Sequence, residues 1–443
     1  MNKARIVVLG AGPAGAATAA GLARMGENVV VVGEPRRFTA VEGISARVVE
    51  ALRGLGFEQA VQTCAAPSPR HAIWNGEPSD ANSERLIERQ RFDRALLDDL
   101  RTMNVPVLHG RASSVEALAG QHRLQIECDG KTRTLHADFL VEARGRAAPG
   151  GGKPRVRGRE TVSLLQYWQG PAGHTHSAVQ SGEDGWAWMA ALADGRRYLQ
   201  LTLDVESAQL PPKRELDAYC SARFRTIEAA RPFLHDAQPL GELCARASTA
   251  ILNHAVSGPN WIRVGDAAMA VDPLSGNGIF QAMSSALQAP AVIATLLHDP
   301  ANARLAHDFH QRRIEHLFYR FARIGRDFYR QETRWPEASF WRERREWPDA
   351  ESSHPPVSPE SVSIARRPVI SDGRIIEDEV VVAPDQPLGV WHVDGVRAAA
   401  LLRAARNDAA HATVEAALQA QCGLEAARAA RFASWLRAQN WIS

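Results

Sequence analysis

The sequence predicts an α/β fold: a nucleotide-binding domain that the chain leaves and re-enters, a β-rich substrate domain set into it, and a small, mainly helical C-terminal domain of winged-helix type. Three observations predict it. The β-branched run Arg5 to Leu9 passes through GAGPAG (Gly10 to Gly15) into an Ala-rich stretch, Ala14 to Met25, and then into a second buried run, Asn28 to Val32. That order of strand, Gly-rich turn, helix and strand is a Rossmann-type unit. Far downstream, WIRVGDAAMAVDPLSGNGIFQA (Trp261 to Ala282) returns to a strand and a helix. Between the two, alternating runs such as Gly185 to Leu192 and Arg197 to Asp204 read as half-buried strands.

Taken in order, Ser45 to Leu55 and Phe92 to Met103 carry the spacing of amphipathic helices, and Leu140 to Ala143 is a buried strand that turns at Gly145. Residues 1–160 are therefore expected to form the first part of the nucleotide-binding domain. Residues 161–255 should form the substrate domain, with one helix near Arg214, and 256–335 the second part of the nucleotide-binding domain with a long helix. The stretch 336–369 is rich in Trp, Arg and Glu and then in Pro and Ser, and reads as a linker. Residues 370–443 should make the small domain, with one short strand at Val380 to Val382 and helices near Val396, Val414 and Leu424.

At 443 residues, 45% hydrophobic and 23% charged, the chain has material for two or three globular units. A net charge of +2 gives no reason to expect nucleic acid as a partner. There is no run of 18 or more apolar residues, so no membrane span is expected. MNKAR followed by an Ala-rich run looks like a signal peptide, but the glycine spacing argues otherwise. The five cysteines have no CxxC spacing, so no metal site and no disulfide framework are expected, and a reducing, cytoplasmic setting fits. Lysines are scarce: Lys3, Lys131, Lys153 and Lys213.

In GAGPAG each glycine has a physical task. Gly10 permits the tight turn, Gly12 lets backbone approach a pyrophosphate, and Gly15 lets helix and strand pack closely. Pro13 and Ala14 open the helix, whose first N–H groups face the anion. The fingerprint also calls for an acid at the end of the second strand, to bind the adenosine ribose. Gly33 stands there, with Glu34 next. Either Glu34 reaches the ribose from one residue further on, or Arg36 or Arg37 takes its place. In the second segment, Gly265 delivers Asp266, a carboxylate suited to a ribityl hydroxyl. The turn from Pro273 leads through Gly276 and Asn277 into a helix starting at Gly278 and Ile279, whose amides suit the carbonyl edge of an isoalloxazine.

On these segments the chain resembles the large family of FAD-dependent monooxygenases, geranylgeranyl reductases and halogenases, over about residues 1–300. ERQRFDRALL (Arg89, Phe92, Asp93), EARGR (Ala143 to Arg146) and EGISAR (Glu42 to Arg47) match it as well. The resemblance implies an FAD cofactor, Arg47 and Arg89 near it, and Ala143 and Gly145 beside its adenosine end. It leaves open whether NAD(P)H or an external flavin reductase supplies electrons. The family's halogenases use a lysine in the first domain, and no lysine lies between Lys3 and Lys131 here; their WxWxIP signature reads WAWMAA at Trp186 to Ala191. Halogenation is not expected. The remaining oxygenase reading is hydroxylation of an electron-rich ring by molecular oxygen through a flavin C4a-hydroperoxide. Asp272 and Pro273 should lie nearest the ring, and Trp188 either lines the substrate site or is simply one residue of a half-buried strand.

The C-terminal segment, with Phe432, Trp435 and Leu436 at helical spacing, loosely resembles small peptide-binding domains of systems that tailor ribosomal peptides. A flavin monooxygenase joined to such a tail resembles the flavin monooxygenases that dihydroxylate a tryptophan in the small subunit of quinohaemoprotein amine dehydrogenase. It is less close to the flavoproteins that assist lysine-oxidase-type quinoproteins. The implied partner is a Trp-containing peptide or small protein subunit. Two alternatives stay open: a hydroxylase or reductase of a small lipid or phenolic metabolite, and a non-catalytic flavoprotein that escorts an immature partner.

Overall fold

The computed structural model describes residues 3–34, 36, 38–150, 152, 155–276, 278–407 and 411–443. They pack as two compact units, residues 1–290 with 314–350, and residues 291–313 with 351–443.

In the first unit a sheet carries parallel strands in the order Trp261–Arg263, Lys131–Glu142, Lys3–Leu9, Val29–Gly33 and Val107–His109. Val29 to Val32 are almost wholly buried, because both faces of such a sheet are covered and a polar side chain has nowhere to go. Trp261–Arg263 pairs with Leu140 to Glu142, so the chain does re-enter this sheet after a long excursion.

The excursion builds an eight-stranded sheet, in the order Gln238–Ala247, Thr161–Gln169, Arg196–Asp204, Gly185–Ala191, His176–Gly182, Ser68–Trp74, Glu77–Glu88 and Val41–Ile44. It is not the self-contained insert 161–255 that the sequence suggests, since three of its strands come from the first 88 residues. The hairpin Ser68–Trp74 and Glu77–Glu88 turns on Asn75 and Gly76, both at positive φ. An Asn-Gly pair between strands is a hairpin signal that could have been read.

Strand Gly185–Ala191 divides its side chains by parity, as a pleated strand must. Ala187, Met189 and Ala191 join Cys220, Phe224 and Phe233 in a core under helices Leu216–Thr226 and Arg231–Leu234. Trp186, Trp188 and Ala190 point to the opposite face, where the candidate site lies.

Two long helices follow, Gly278–His298 and Ala303–Gln331. Gly278–His298 is long and apolar enough to cross a membrane by length and composition, although no unbroken apolar run marks it, and two-thirds of its apolar window is buried in the protein. The expected linker is structured. Ser339–Arg344 is a helix with Phe340 and Trp341 fully buried, and Ser363–Ser371 is a strand. Its charged and Pro-rich composition hid the two aromatics that anchor it.

In the second unit, strands Ser363–Ser371, Arg374–Ala383 and Gln386–Val390 form an antiparallel sheet, and helices Ala398–Arg406, Val414–Cys422 and Ala426–Ala438 close over it. Val362, Val381, Leu401, Leu402, Leu418, Phe432 and Leu436 share its core. Helices dominate as expected, but a boundary at 370 cuts the first strand. The unit also takes in 291–313, where the Thr295 hydroxyl accepts the Ile375 N–H at 2.8 Å.

Candidate flavin and substrate site

The Gly-rich turn shows which glycines serve the fold and which leaves room for a ligand. Gly10 sits at φ 113°, and a Cβ there would stand 2.3 Å from the Ala143 carbonyl oxygen. A Cβ on Gly15 would stand 1.9 Å from the Gly10 carbonyl oxygen. Both contacts are with backbone, so neither site admits a side chain without moving the chain. A Cβ on Gly12 would meet nothing within 4 Å. Gly12 is the N-cap of helix Pro13–Arg24, in extended backbone, with open space beside it. First-turn N–H groups of a helix lack internal partners; Pro13 has none to offer, so those of Ala14 and Gly15 remain for an anion.

The second glycine motif packs onto this one. A Cβ on Gly265 would lie 2.6 Å from the Ala14 Cβ, and one on Gly145 would lie 4.0 Å from the Asp266 Cβ. Three segments distant in sequence thus converge on one helix end. Arg146 donates to the carbonyls of Thr249 and Val271 and holds its Nε 3.4 Å from Asp266 Oδ2. The Asp266 side chain keeps about a third of its surface open, yet burial raises its pKa, and Arg146 opposes that rise only in part. On the helix after Asp266, Gln281 is 3% exposed and its amide has no hydrogen-bond partner among the described residues at either end. A buried amide left so costs about 1–3 kcal/mol, a reason to expect a polar group against it. The convergent glycines, the open Gly12 face, Asp266 and this amide together fit a dinucleotide flavin.

Arg89 is placed differently from a free flavin ligand. It is 6% exposed and donates to Asp93 (3.1 and 3.3 Å) and to Glu42 Oε1 at 2.6 Å. Arg36 donates to the same Asp93 at 3.3 Å. Burial pushes the Glu42 carboxyl up, but Arg89 and Arg36 outweigh it and hold the group below its ordinary value. This cluster clasps strand Val41–Ile44 to helix Arg89–Thr102. Arg47 is exposed on the first turn of helix Ala46–Gly54 and pairs with none of the described residues. Glu34 is exposed just past Val29–Gly33. The displaced acid has a steric cause: a Cβ on Gly33 would stand 2.5 Å from the Ala11 Cβ, so the usual acidic position must be glycine here. Asn277 lies outside the described residues; Gly276 is at φ 62°, Gly278 begins its helix and Ile279 is buried within it.

Asp272 and Pro273 lead into that helix. Asp272 accepts the Leu274 N–H at 2.9 Å and so caps the short turn Pro273–Ser275. Both its oxygens lie 3.1 Å from the Tyr329 hydroxyl, a contact with the long helix that no local motif announces. Burial raises the Asp272 pKa, against the Leu274 N–H and the Arg344 charge; burial and the adjacent carboxylate push the Tyr329 hydroxyl well above the usual tyrosine value. Beside the pair is a cavity of about 20 Å³ lined by Arg159, Arg326 and Arg344 together with Ala250, Ala322 and Trp347. Trp188 is half-buried, opposite Val179 and Gln200, and shares an aromatic cluster with Leu274, Trp74, Trp335, Trp341 and Tyr329. One wall of tryptophans therefore meets the turn that Asp272 caps.

The model of a family described as "FAD binding domain" matches residues 3–317. Among solved structures, a peptidyl tryptophan dihydroxylase, QhpG, described as essential for tryptophylquinone cofactor biogenesis, is 51% identical. That match covers 99% of this chain and 100% of the other, with a TM-score of 0.85. The flavin-dependent halogenase CmlS shares the fold over 100% of this chain and 96% of its own, at 18% identity and a TM-score of 0.78. A tryptophan 2-halogenase from Chondromyces crocatus is 25% identical over 77% of this chain and 70% of its own length. Matched over well more than half its length, the chain belongs to the FAD-binding family that includes flavin-dependent monooxygenases and halogenases.

Proposed function

We propose that this protein is an FAD-dependent monooxygenase that hydroxylates a tryptophan side chain of a peptide or small protein subunit, twice on one ring, during quinone cofactor biogenesis. The observation that carries this reading is the 51% identity, over essentially the whole of both chains, to a peptidyl tryptophan dihydroxylase. Gly10, Gly12, Pro13, Ala14 and Gly15 would hold the pyrophosphate, Asp266 the ribityl chain, and the loop from Gly276 to Ile279 the carbonyl edge of the ring. Ala143, Gly145 and either Glu34 or Arg36 border the adenosine half. Arg89 acts through the clasp it makes with Glu42 and Asp93, and Arg47 from the rim.

Reduced FAD, when bound, activates molecular oxygen for transfer to an electron-rich ring. The protein's share is to place that ring and keep water out. Trp188 and its aromatic neighbours offer an apolar wall for an indole. Asp272 fixes the turn at Pro273, and its bond to the Tyr329 hydroxyl keeps a proton held at the turn. NAD(P)H, directly or through a reductase, is the electron source we assign, and the cytoplasm the location. The second unit is assigned to gripping the polypeptide around the target tryptophan.

The test is intact-mass analysis of the small subunit of a quinohaemoprotein amine dehydrogenase after incubation with the protein, FAD, NADH and oxygen. Gain of two oxygen atoms on one tryptophan is the expected result. Free tryptophan turned over as fast as the subunit would replace this reading with a small-molecule hydroxylase, and flavin binding without oxygen uptake would leave an escort.

A further inference from the structure

Most arginines near the site are committed: Arg89, Arg36, Arg146 and Arg344 each bond a carboxylate or a carbonyl. Arg70 is not. It lies on strand Ser68–Trp74, half-buried, and pairs with none of the described residues. Register places it opposite Ser177, two residues from the Ala72–Val179 pair, so it shares the sheet face that carries Val179 and Trp188. Glu84, on the neighbouring strand opposite Ser68, accepts from Ser177. One guanidinium nitrogen of Arg70 stands 3.6 Å from the position of a Cβ on Gly276. A partly desolvated guanidinium, unpaired among the described residues, therefore stands beside Gly276 on the sheet face that carries Trp188.

A guanidinium there has no favourable contact with an unmodified indole edge beyond its ring face. After one hydroxylation the ring carries an oxygen with a phenol-like pKa of about 10. A cation at contact distance favours the ionised form of such a group, and the ionised oxygen feeds electron density to the adjacent ring carbon. Resting on the function proposed above, we infer that Arg70 holds the oxygen added in the first hydroxylation and so drives the second. Each round consumes one O₂, two electrons from reduced flavin and two protons from the flavin and solvent, converts one ring C–H to C–OH, and releases the other oxygen as water. Between rounds the hydroxyl proton leaves to solvent, and the guanidinium balances the resulting anion.

The experiment compares wild type, Arg70→Ala and Arg70→Lys on the same small subunit, following products with one and with two added oxygens by intact mass across pH. Removing one oriented donor from a reacting oxygen costs about a hundredfold. Arg70→Ala should slow the second oxygen about a hundredfold more than the first, so that the singly hydroxylated subunit accumulates. Arg70→Lys should recover part of the loss. The alanine variant's deficit should narrow as pH approaches about 10, where the free hydroxyl ionises unaided. Equal slowing of both steps, or a changed flavin spectrum or content, would assign Arg70 to the flavin or the fold and overturn the inference. An unchanged product ratio would overturn it as well while leaving the functional reading intact; a wild-type protein that adds no oxygen at all would overturn both.

Discussion

Replacing Gly12 by serine separates the cofactor's demands from those of the fold. Gly12 is an N-cap with φ −78° and ψ −177°, and nothing lies within 4 Å of a Cβ built there. Serine is among the best N-caps, and its hydroxyl would accept from the N–H groups of the first turn, improving the cap by a few tenths of a kcal/mol. Those same N–H groups are the ones assigned to the pyrophosphate, and the new side chain fills the space through which phosphate must approach. Gly12→Ser should therefore give a flavin-free protein that melts no lower than the wild-type apoprotein. FAD affinity should fall at least a hundredfold, equivalent to about 2.7 kcal/mol. Gly15→Ala provides the contrast: its methyl would overlap the Gly10 carbonyl at 1.9 Å, and backbone cannot swing aside. Overpacking of that kind costs about 1–3 kcal/mol or more, so this variant should lose stability whether or not flavin is present. Thermal melts of the apoproteins and titration of FAD fluorescence measure the two effects. A Gly12→Ser protein that binds FAD like wild type, or a Gly15→Ala protein that melts like it, would refute the division of labour.

Three further predictions rest on the same geometry. Asp272 has a raised pKa, so its protonated form adds stability that is present below the ordinary carboxylate pKa and lost as pH rises through the folded value. Asp272→Asn should accordingly melt higher than wild type near neutral pH, with the gain vanishing in acid, while hydroxylation falls; scanning calorimetry across pH checks the sign. Arg344 and Asp204 form an ion pair with both side chains 5% exposed, and Arg344→Ala should cost about 3 kcal/mol in denaturant unfolding by removing the cation paired with a buried carboxylate that keeps its two Ser207 hydrogen bonds. Truncation before Ile370 should give insoluble protein, since it cuts strand Ser363–Ser371 and removes the partner of Thr295; a soluble, yellow truncated chain would show that the second unit is dispensable.

What could be read from the sequence was whatever rests on local chemistry. Gly10 and Gly15 announce their turn because each answers a steric demand of adjacent backbone, and Asp266 follows its strand at a fixed offset. Val29 to Val32 declare a doubly covered strand by having no polar face. Tyr329 and Arg344 were invisible because their partners, Asp272 and Asp204, lie far away in the chain and only folding brings them together. Arg89 was legible as important but not as a clasp, since the competition from Glu42 and Asp93 is a matter of geometry. The supposed linker failed for a different reason: composition averages over a window, and two buried aromatics, Phe340 and Trp341, decide its structure against the charged majority.

The alternation along Gly185–Ala191 has a consequence for how such an enzyme changes its substrate. Ala187, Met189 and Ala191 are pinned by helices beneath the sheet, whereas Trp186, Trp188 and Ala190 touch whatever lies above it. Substitutions on the upper set alter the shape and polarity offered to a ring while the lower set goes on fixing the strand's height and register. One strand thus serves as foundation on one side and as a replaceable lining on the other. Descent with a new substrate requires rewriting only every second residue.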